Sequence, residues 1–264
     1  MPTDREWFAT YDGSADAAAL LIDIVRSKLG RHSVLHLRNV VPSGDPLDYW
    51  LCIGSALGSP VKCTEDENTG EQKYNDGVWS DVRFKPNRRD SYRYHNVGQP
   101  LHTDGAYLPE AGDIVLFYMA KQATTGGGSL FLGAETLAAS AEAEAPELLK
   151  ALTTIPVRFG KQCSEHVTPI LRYQGDRLKI NWNYYRVLPD QGEVIARLKE
   201  EFQSFLKHLV DSGRVLEFTL RDGEVVLFRD QDVLHGRRDY TARDVGDRLL
   251  WKSYYTGRSL GANV

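Results

Sequence analysis

Near its end the chain carries three extended, apolar runs in succession, RVLEFTL, GEVVLFRDQDVLHG and RLLWKSYYTG, with no helical pattern between them. HSVLHLRNV, DIVLFYMA, SLFLG, IPVRFG and RLKINWNYYRV also read as extended. The helical patterns lie apart from these. ADAAALLIDIVRSKLG spaces Leu20, Leu21, Ile24, Val25 and Leu29 for one helix, with Gly30 as its stop. DPLDYWLCIGSALG places Pro46 near a first turn and Gly58 at the end. ETLAASAEAEAPELLKALTT is helix-prone, with Pro146 breaking or restarting it. The clearest helix carries Ile195, Leu198, Phe202, Phe205, Leu206 and Leu209 in one stripe and ends at Gly213. There is no βαβ alternation, no glycine-rich phosphate loop and no repeat. Consecutive strands with segregated helices predict an α+β chain with a mainly β core, a sandwich or jelly roll with flanking helices and not a doubly wound sheet.

At 264 residues, 42 % hydrophobic and 26 % charged, the chain can bury a good core. No linker divides it, so residues 1–264 read as a single domain. A net charge of −4 gives no reason to expect nucleic acid or an anionic membrane as partner. The N-terminal stretch lacks the basic and apolar regions of a secretory signal, and no apolar run approaches bilayer-spanning length. Cys52, Cys63 and Cys163 form no CxxC motif, so a cytoplasmic, thiol-reduced protein is expected, with Cys52 in the core. Residues 60–100 are polar, dotted with aromatics and poor in aliphatics, the composition of an active-site lid segment.

QPLHTDGAYLP sets His102 and Asp104 one residue apart. With 7 His and 36 acidic residues in 264, about one His-x-acid pair arises by chance, so the pair proves nothing alone. If Leu101–Tyr107 is extended, both side chains point the same way, which is one way to begin a metal site. His235 ends the strand EVVLFRDQDVLH, where a third ligand would sit or where a hydrogen-bonded turn histidine would be equally at home. His36 reads as a core or sheet-face residue, His95 and His166 as loop residues, and His208 as a helix C-terminal cation. Arg248 opens the last strand. If it faces inward so do Leu250, Lys252 and Tyr254, and two cations beside a strand-end histidine imply an anionic ligand; the alternative is a solvent-facing row.

Taken together and in order, PLHTDGAY, TTGGGSLFLG, DVLHGRRDY and RLLWK resemble the Fe(II)/2-oxoglutarate-dependent oxygenases, and within them the TauD/TfdA, or clavaminate-synthase-like, family. The matching pieces span residues 99–252. The resemblance implies a double-stranded β-helix, Fe(II) held by His102, Asp104 and His235, and 2-oxoglutarate and O2 as cosubstrates. It implies that Arg248 receives the distal carboxylate of 2-oxoglutarate and that Ser129 hydrogen-bonds the cosubstrate. Arg237 and Arg238 stand too near His235 to return on a neighbouring strand, and Arg243 lies in a turn, which leaves Arg248 for that role. The implied reaction hydroxylates an unactivated C–H bond with release of succinate and CO2; desaturation, cyclisation or epoxidation use the same triad. Related halogenases have Gly or Ala where Asp104 stands, so halogenation is not expected.

The substrate is a small molecule, expected to be amino-acid-like and to carry a carboxylate. Lys252 falls where several family members have an Arg that contacts a substrate anion; Lys departs from that pattern. Tyr107 and Arg186 are further pocket candidates. A cupin-like metal enzyme working without a keto acid is the alternative, but it has no use for Arg248 and Ser129 together. Oligomeric state is not legible in the sequence.

Overall fold

The computed structural model describes residues 6–13, 18–62, 77–88, 92–109, 112–161 and 164–257. Two mostly antiparallel sheets carry the architecture. The larger contains β1 (Phe8–Asp12), β2 (Val34–Arg38), β3 (Gly58–Pro60), β4 (Ser80–Arg83), β6 (Ile114–Lys121), β13 (Val225–Arg229) and β15 (Leu249–Gly257). Its order is β1-β2-β13-β6-β15-β3, with β4 also paired to β15. The smaller contains β5 (Gln99–His102), β7 (Ser129–Gly133), β12 (Leu216–Phe218) and β14 (Val233–Arg237), in the order β12-β7-β14-β5. Hairpins β8 (Pro156–Lys161)/β9 (Ser164–Pro169) and β10 (Leu171–Gln174)/β11 (Arg177–Ile180) stand beside them. The helices are α1 (Ala18–Arg31), α2 (Pro46–Leu57), α3 (Ala134–Glu144), α4 (Pro146–Thr154) and α5 (Glu193–Asp211). Among the described residues no helix is long and apolar enough to cross a membrane.

The alternation of side chains along each strand explains the layering. In β13, Val225 and Leu227 pack with Ile114 and Leu116 of β6 against Leu21, Val25 and Leu29 of α1 and Trp50, Ile53 and Leu57 of α2. Val226 and Phe228 face the other way and meet Phe131 and Val233 of the smaller sheet, with Val115, Met119 and Leu250. That is why VVLF is apolar without interruption: both of its faces are covered. Leu130, Leu132 and Leu234 on the far side of the smaller sheet pack with Leu137, Leu148, Leu198, Phe202 and Leu206 from α3 to α5. The order of layers is therefore helices, large sheet, small sheet, helices.

Local chemistry sets several element ends. Asp45 caps α2, its Oδ1 accepting from the amides of Leu47 at 2.8 Å and Asp48 at 3.1 Å, while Pro46 occupies the first turn. All six residues expected to form the stripe of α5 are buried, and Gly213 beyond its end has φ +72°. Pro146 restarts the helix as expected.

Other expectations need correction. Gly30 does not stop α1, which runs to Arg31, and only Leu21, Val25 and Leu29 of its stripe are buried. Cys52 is exposed, because the face of α2 carrying Trp50, Ile53, Gly54 and Leu57 is the one that packs; Cys63 and Cys163 lie outside the described residues. EVVLFRDQDVLH is not one strand. A 3-10 turn at Asp230–Asp232 interrupts it and carries the chain from the larger sheet to the smaller. Asp232 stabilises that turn by ion pairs to Arg177, at 2.9 Å, and Lys179. RLKINWNYYRV is extended only in its first part; Asn183 accepts from the Tyr185 amide and starts a 3-10 turn at Tyr184–Arg186. His166 sits in β9 and not in a loop.

Gly54 is the position where α2 touches β15. A Cβ there would fall 2.0 Å from Cζ of the buried Tyr255 ring. Gly54→Ala is expected to lower stability by about 1–3 kcal/mol, the usual cost of overpacking a rigid contact. A urea midpoint unchanged from that of the parent protein would refute this.

Candidate functional site

His235 and His102 are register partners across β14 and β5. Pairing sets their rings side by side, with centroids 4.2 Å apart. His235 lies in the middle of β14 and not at a strand end, facing the space between the sheets against Phe117 and Phe228. β5 stops at His102, so the extended reading of Leu101–Tyr107 fails after two residues; Asp104 stands in a turn. Hydrogen bonds hold that turn in place. The Thr103 amide donates to the Trp182 carbonyl at 2.6 Å, and the Trp182 amide donates to the Thr103 hydroxyl at 3.0 Å. The Asp104 amide donates to the buried Asp230 carboxylate at 3.0 Å. Gly105 follows at φ +61°, a conformation that glycine adopts without cost.

The turn brings Asp104 to both imidazoles. Its carboxylate oxygens lie 3.7 Å from His102 Nε2 and 3.4 Å from His235 Nε2. One ligand atom from each of the three residues lies within 4.8 Å of the others. His102 Nδ1 is 2.9 Å from the Pro100 carbonyl, which makes Nδ1 the protonated nitrogen and leaves the Nε2 lone pair toward the site. Burial, reinforced by His102, holds His235 well below the usual imidazole range, so it is neutral near pH 7. Burial alone would raise Asp104, but Lys252, then His235 and His102, outweigh it and keep the carboxyl well below its ordinary value. Burial and the neighbouring Asp104 push Asp230 the other way, well above the usual range. The His102 ring, a neutral His235 and an ionised Asp104 carboxylate make a donor set that fits Fe(II) with open coordination positions. Lys252 forms an ion pair with Asp104 Oδ2.

The three residues open into a cavity of about 570 Å³. Every residue expected at the site lines it: His102, Asp104, His235, Ser129, Arg248, Tyr107, Arg186 and Lys252. Arg248 therefore faces inward, 1 % exposed, together with Leu250, Lys252 and Tyr254. The TTGGG segment runs beside Arg248. Gly127 donates to the Asp239 carbonyl at 2.8 Å, and a Cβ on it would stand 3.5 Å from Arg248 Nε. Ser80, Val82, Tyr92, Arg93 and Gln99 of the 60–100 segment line the cavity as well; residues 63–76 and 89–91 of that segment lie outside the described residues.

Three residues here escaped the sequence reading. Arg237 is 6 % exposed, lines the same cavity and shares the Tyr240 ring with Arg248, their guanidinium carbons 4.9 and 5.1 Å from its centroid. It does not return on a neighbouring strand, as expected, but shares β14 with His235, and a residue two positions along the same strand reaches the same side. One of its nitrogens, Nη2, donates to the carbonyls of His95 and Val97, both at 2.8 Å, while Nε and Nη1 are buried without acceptors, as are Nε and Nη1 of Arg248. Burial, then Arg237, lowers Arg248 to about 10. Asp230 was hidden because its segment read as strand. Lys161 had no local signal.

A family model described as taurine catabolism dioxygenase TauD, TfdA family matches residues 8–254. A trimethyllysine dioxygenase of Meyerozyma guilliermondii is 26% identical over 163 residues, 57% of this chain and 41% of that protein. The chain thus spans about two fifths of the length of the curated relatives it matches. An asparagine oxygenase solved with Fe(II), 2S,3S-3-hydroxyasparagine and succinate superposes with a TM-score of 0.69 at 16% identity, over 91% of this chain and 80% of that one. The non-heme iron oxygenase OrfP, solved with Fe and alpha-ketoglutaric acid, gives 0.67 at 18% identity over 91% and 80%.

Gly236 lets β14 and β5 approach. A Cβ there would lie 2.8 Å from the Gln99 carbonyl oxygen, which is backbone and cannot swing away. Gly236→Ala is expected to push His102 from His235 and weaken Fe(II) binding roughly 10- to 100-fold, the range for residues that orient metal ligands. Anaerobic titration calorimetry checks this, and unchanged affinity would show that the strand contact does not position the ligands.

Proposed function

Because this chain belongs to the taurine catabolism dioxygenase TauD, TfdA family, we propose that it is an Fe(II)- and 2-oxoglutarate-dependent oxygenase of a small, amino-acid-like carboxylate. The observation that carries this reading is the convergence, in one cavity, of the His102–Asp104–His235 cluster with a buried arginine pair in which Nε and Nη1 of each guanidinium have no acceptor. A desolvated guanidinium is costly until an anion pairs with it. A keto diacid supplies both a chelating end for the metal and a carboxylate for that pair. The two stacked sheets are read as a double-stranded β-helix within a single domain of residues 1–264.

Iron bound by His102, Asp104 and His235 would supply O2 activation and, with 2-oxoglutarate consumed to succinate and CO2, hydroxylation of an unactivated C–H bond. The remaining work belongs to the chain. Arg248 takes the distal carboxylate in a bidentate fork, Arg237 adds a second cation to the same wall, and Ser129 offers a hydroxyl. Phe117 and Phe228 pack His235 and keep water from its inner face. Lys252 pairs with Asp104; were a metal to take that carboxylate, the ammonium would be free to meet the substrate carboxylate. The described part of the 60–100 segment, which brings Ser80, Val82, Tyr92, Arg93 and Gln99 to the cavity, serves as the lid. Tyr92 of this segment reaches Tyr185, hydroxyl to hydroxyl at 2.5 Å, beside the cavity.

Adding Fe(II) and then 2-oxoglutarate without oxygen is expected to produce a weak visible charge-transfer band that Asp104→Ala and His235→Ala abolish. A band that survives either change would sink the triad assignment. Arg248→Ala should weaken 2-oxoglutarate binding by about 2–5 kcal/mol, the cost of truncating a buried charge pair, roughly thirtyfold or more in Kd. Fe(II) affinity should stay as it was; loss of both together would count against the anchor.

A further inference from the structure

A second cavity, of about 220 Å³, lies beside the turn that links the two sheets and shares no residue with the first. Asp113, Gln174, Arg177, Lys179, Arg229 and Gln231 line it. Its walls come from three places: Arg229 ends β13, Gln231 stands in the Asp230–Asp232 turn, and Gln174, Arg177 and Lys179 belong to the β10/β11 hairpin. Three cations thus face one carboxylate, Asp113, across this space. Hydrogen bonds already made decide what each side chain has left to offer. Arg229 donates from Nε to the Leu29 carbonyl at 3.0 Å and makes no ion pair among the described residues, which leaves its Nη groups for the cavity. Gln231 accepts through Oε1 from Arg172 Nη2 at 2.9 Å, so what remains of its amide is the donor end. Lys179 and Arg177 share the Asp232 carboxylate, and Arg177 Nη2 also donates to the Gly30 carbonyl at 3.0 Å. Lys179 keeps further ammonium hydrogens and Arg177 keeps Nε. Burial, then Arg177, lowers Arg229 from the ordinary guanidinium value in spite of Asp232 and Asp113. The carboxylates at hand therefore do not offset the desolvation of this cation.

We propose that Arg229, Lys179 and Gln231 form a binding site for a free, small tetrahedral oxyanion of the phosphate or sulfate class. Apart from Asp113 and the Gln174 amide, the groups left over at this wall are donors, and an oxyanion without protons only accepts. The Nη edge of a guanidinium presents paired N–H groups that match oxyanion geometry. Size points the same way. The cavity is smaller than the roughly 300–1,000 Å³ that hold drug-sized molecules, so it suits the ion alone and not the phosphoryl end of something larger. An anion seated there joins β13, the turn and β11 at one point. The same turn carries Asp230, which accepts from the Asp104 amide, so the site lies behind the segment that aims a residue of the metal cluster. The proposal is independent of the oxygenase reading, since no residue of the second cavity lines the first.

The test is titration calorimetry on the full chain at low, constant ionic strength, with potassium phosphate, potassium sulfate, glycerol 3-phosphate and potassium chloride as the probes. Phosphate or sulfate is expected to saturate the protein in the millimolar range or tighter, while chloride gives no saturable heat. Arg229→Gln should weaken that binding about tenfold or more, the worth of hydrogen bonds from a charged donor. Gln231→Glu keeps a partner for Arg172 and replaces the donor end with a like charge, so it should abolish binding; it also covers the case in which Arg229→Gln fails to fold. The buried arginine pair of the larger cavity is another seat for an anion, so Arg248→Ala serves as the comparison and should leave phosphate affinity as it was. No saturation in the millimolar range would overturn the site. So would binding that Arg248→Ala removes and that Arg229→Gln and Gln231→Glu both spare. Glycerol 3-phosphate that binds as tightly as phosphate would overturn the assignment to a free ion.

Discussion

The site depends on a single register. His235 of β14 faces His102 of β5 directly, and a slip of one residue would turn His235 out of the space between the sheets and send Leu234 in. That register is defended from both sides. Leu234 belongs to the core under α3–α5, while Val233 packs in the core between the sheets. A slip would therefore expose apolar area in two cores at once. The chemistry is guarded by packing energy far larger than any interaction the imidazoles make with one another.

Around that fixed pair the other groups are delivered by turns. Asp104 arrives on a turn pinned through Thr103 to Trp182 and through its own amide to Asp230. Arg248 arrives at the start of β15, against the glycine segment that precedes β7. Asp230 belongs to the 3-10 turn linking the two sheets, so the step between sheets and the placement of Asp104 share one carboxylate. The layers give rigidity, and the irregular backbone between them gives aim.

Much of this was legible in the chain because it follows from periodicity or local turn chemistry. The stripe of α5, the Pro46 start, a break or restart at Pro146 and the shared face of Arg248, Leu250, Lys252 and Tyr254 all follow from spacing, although spacing leaves open whether that face turns inward or to solvent. What escaped had a different physical origin. RDQD looked like strand because its flanks are strand; that it turns depends on Asp232 finding Arg177 and Lys179, which lie more than fifty positions away. Cys52 sits in an apolar run yet faces out, because only one side of α2 has a sheet beneath it. Lys161 reaches the cavity through a bridge between β8 and Val187 that no local pattern announces. Arg237 stands two positions from His235 on β14, and strand alternation, not a return on a neighbouring strand, brings it to the cavity.

The ion pair between Lys252 and Asp104 has a bearing on how such a protein lives before it meets iron. In many small metal domains no preformed site exists without the metal, and the chain stays unfolded until the ion binds. Here the carboxylate already has a resident ammonium, and burial keeps His235 neutral. A metal held by these ligands would enter by exchange of one cation for another at the same oxygen, so that the carboxylate would be paired whether the centre is loaded or not.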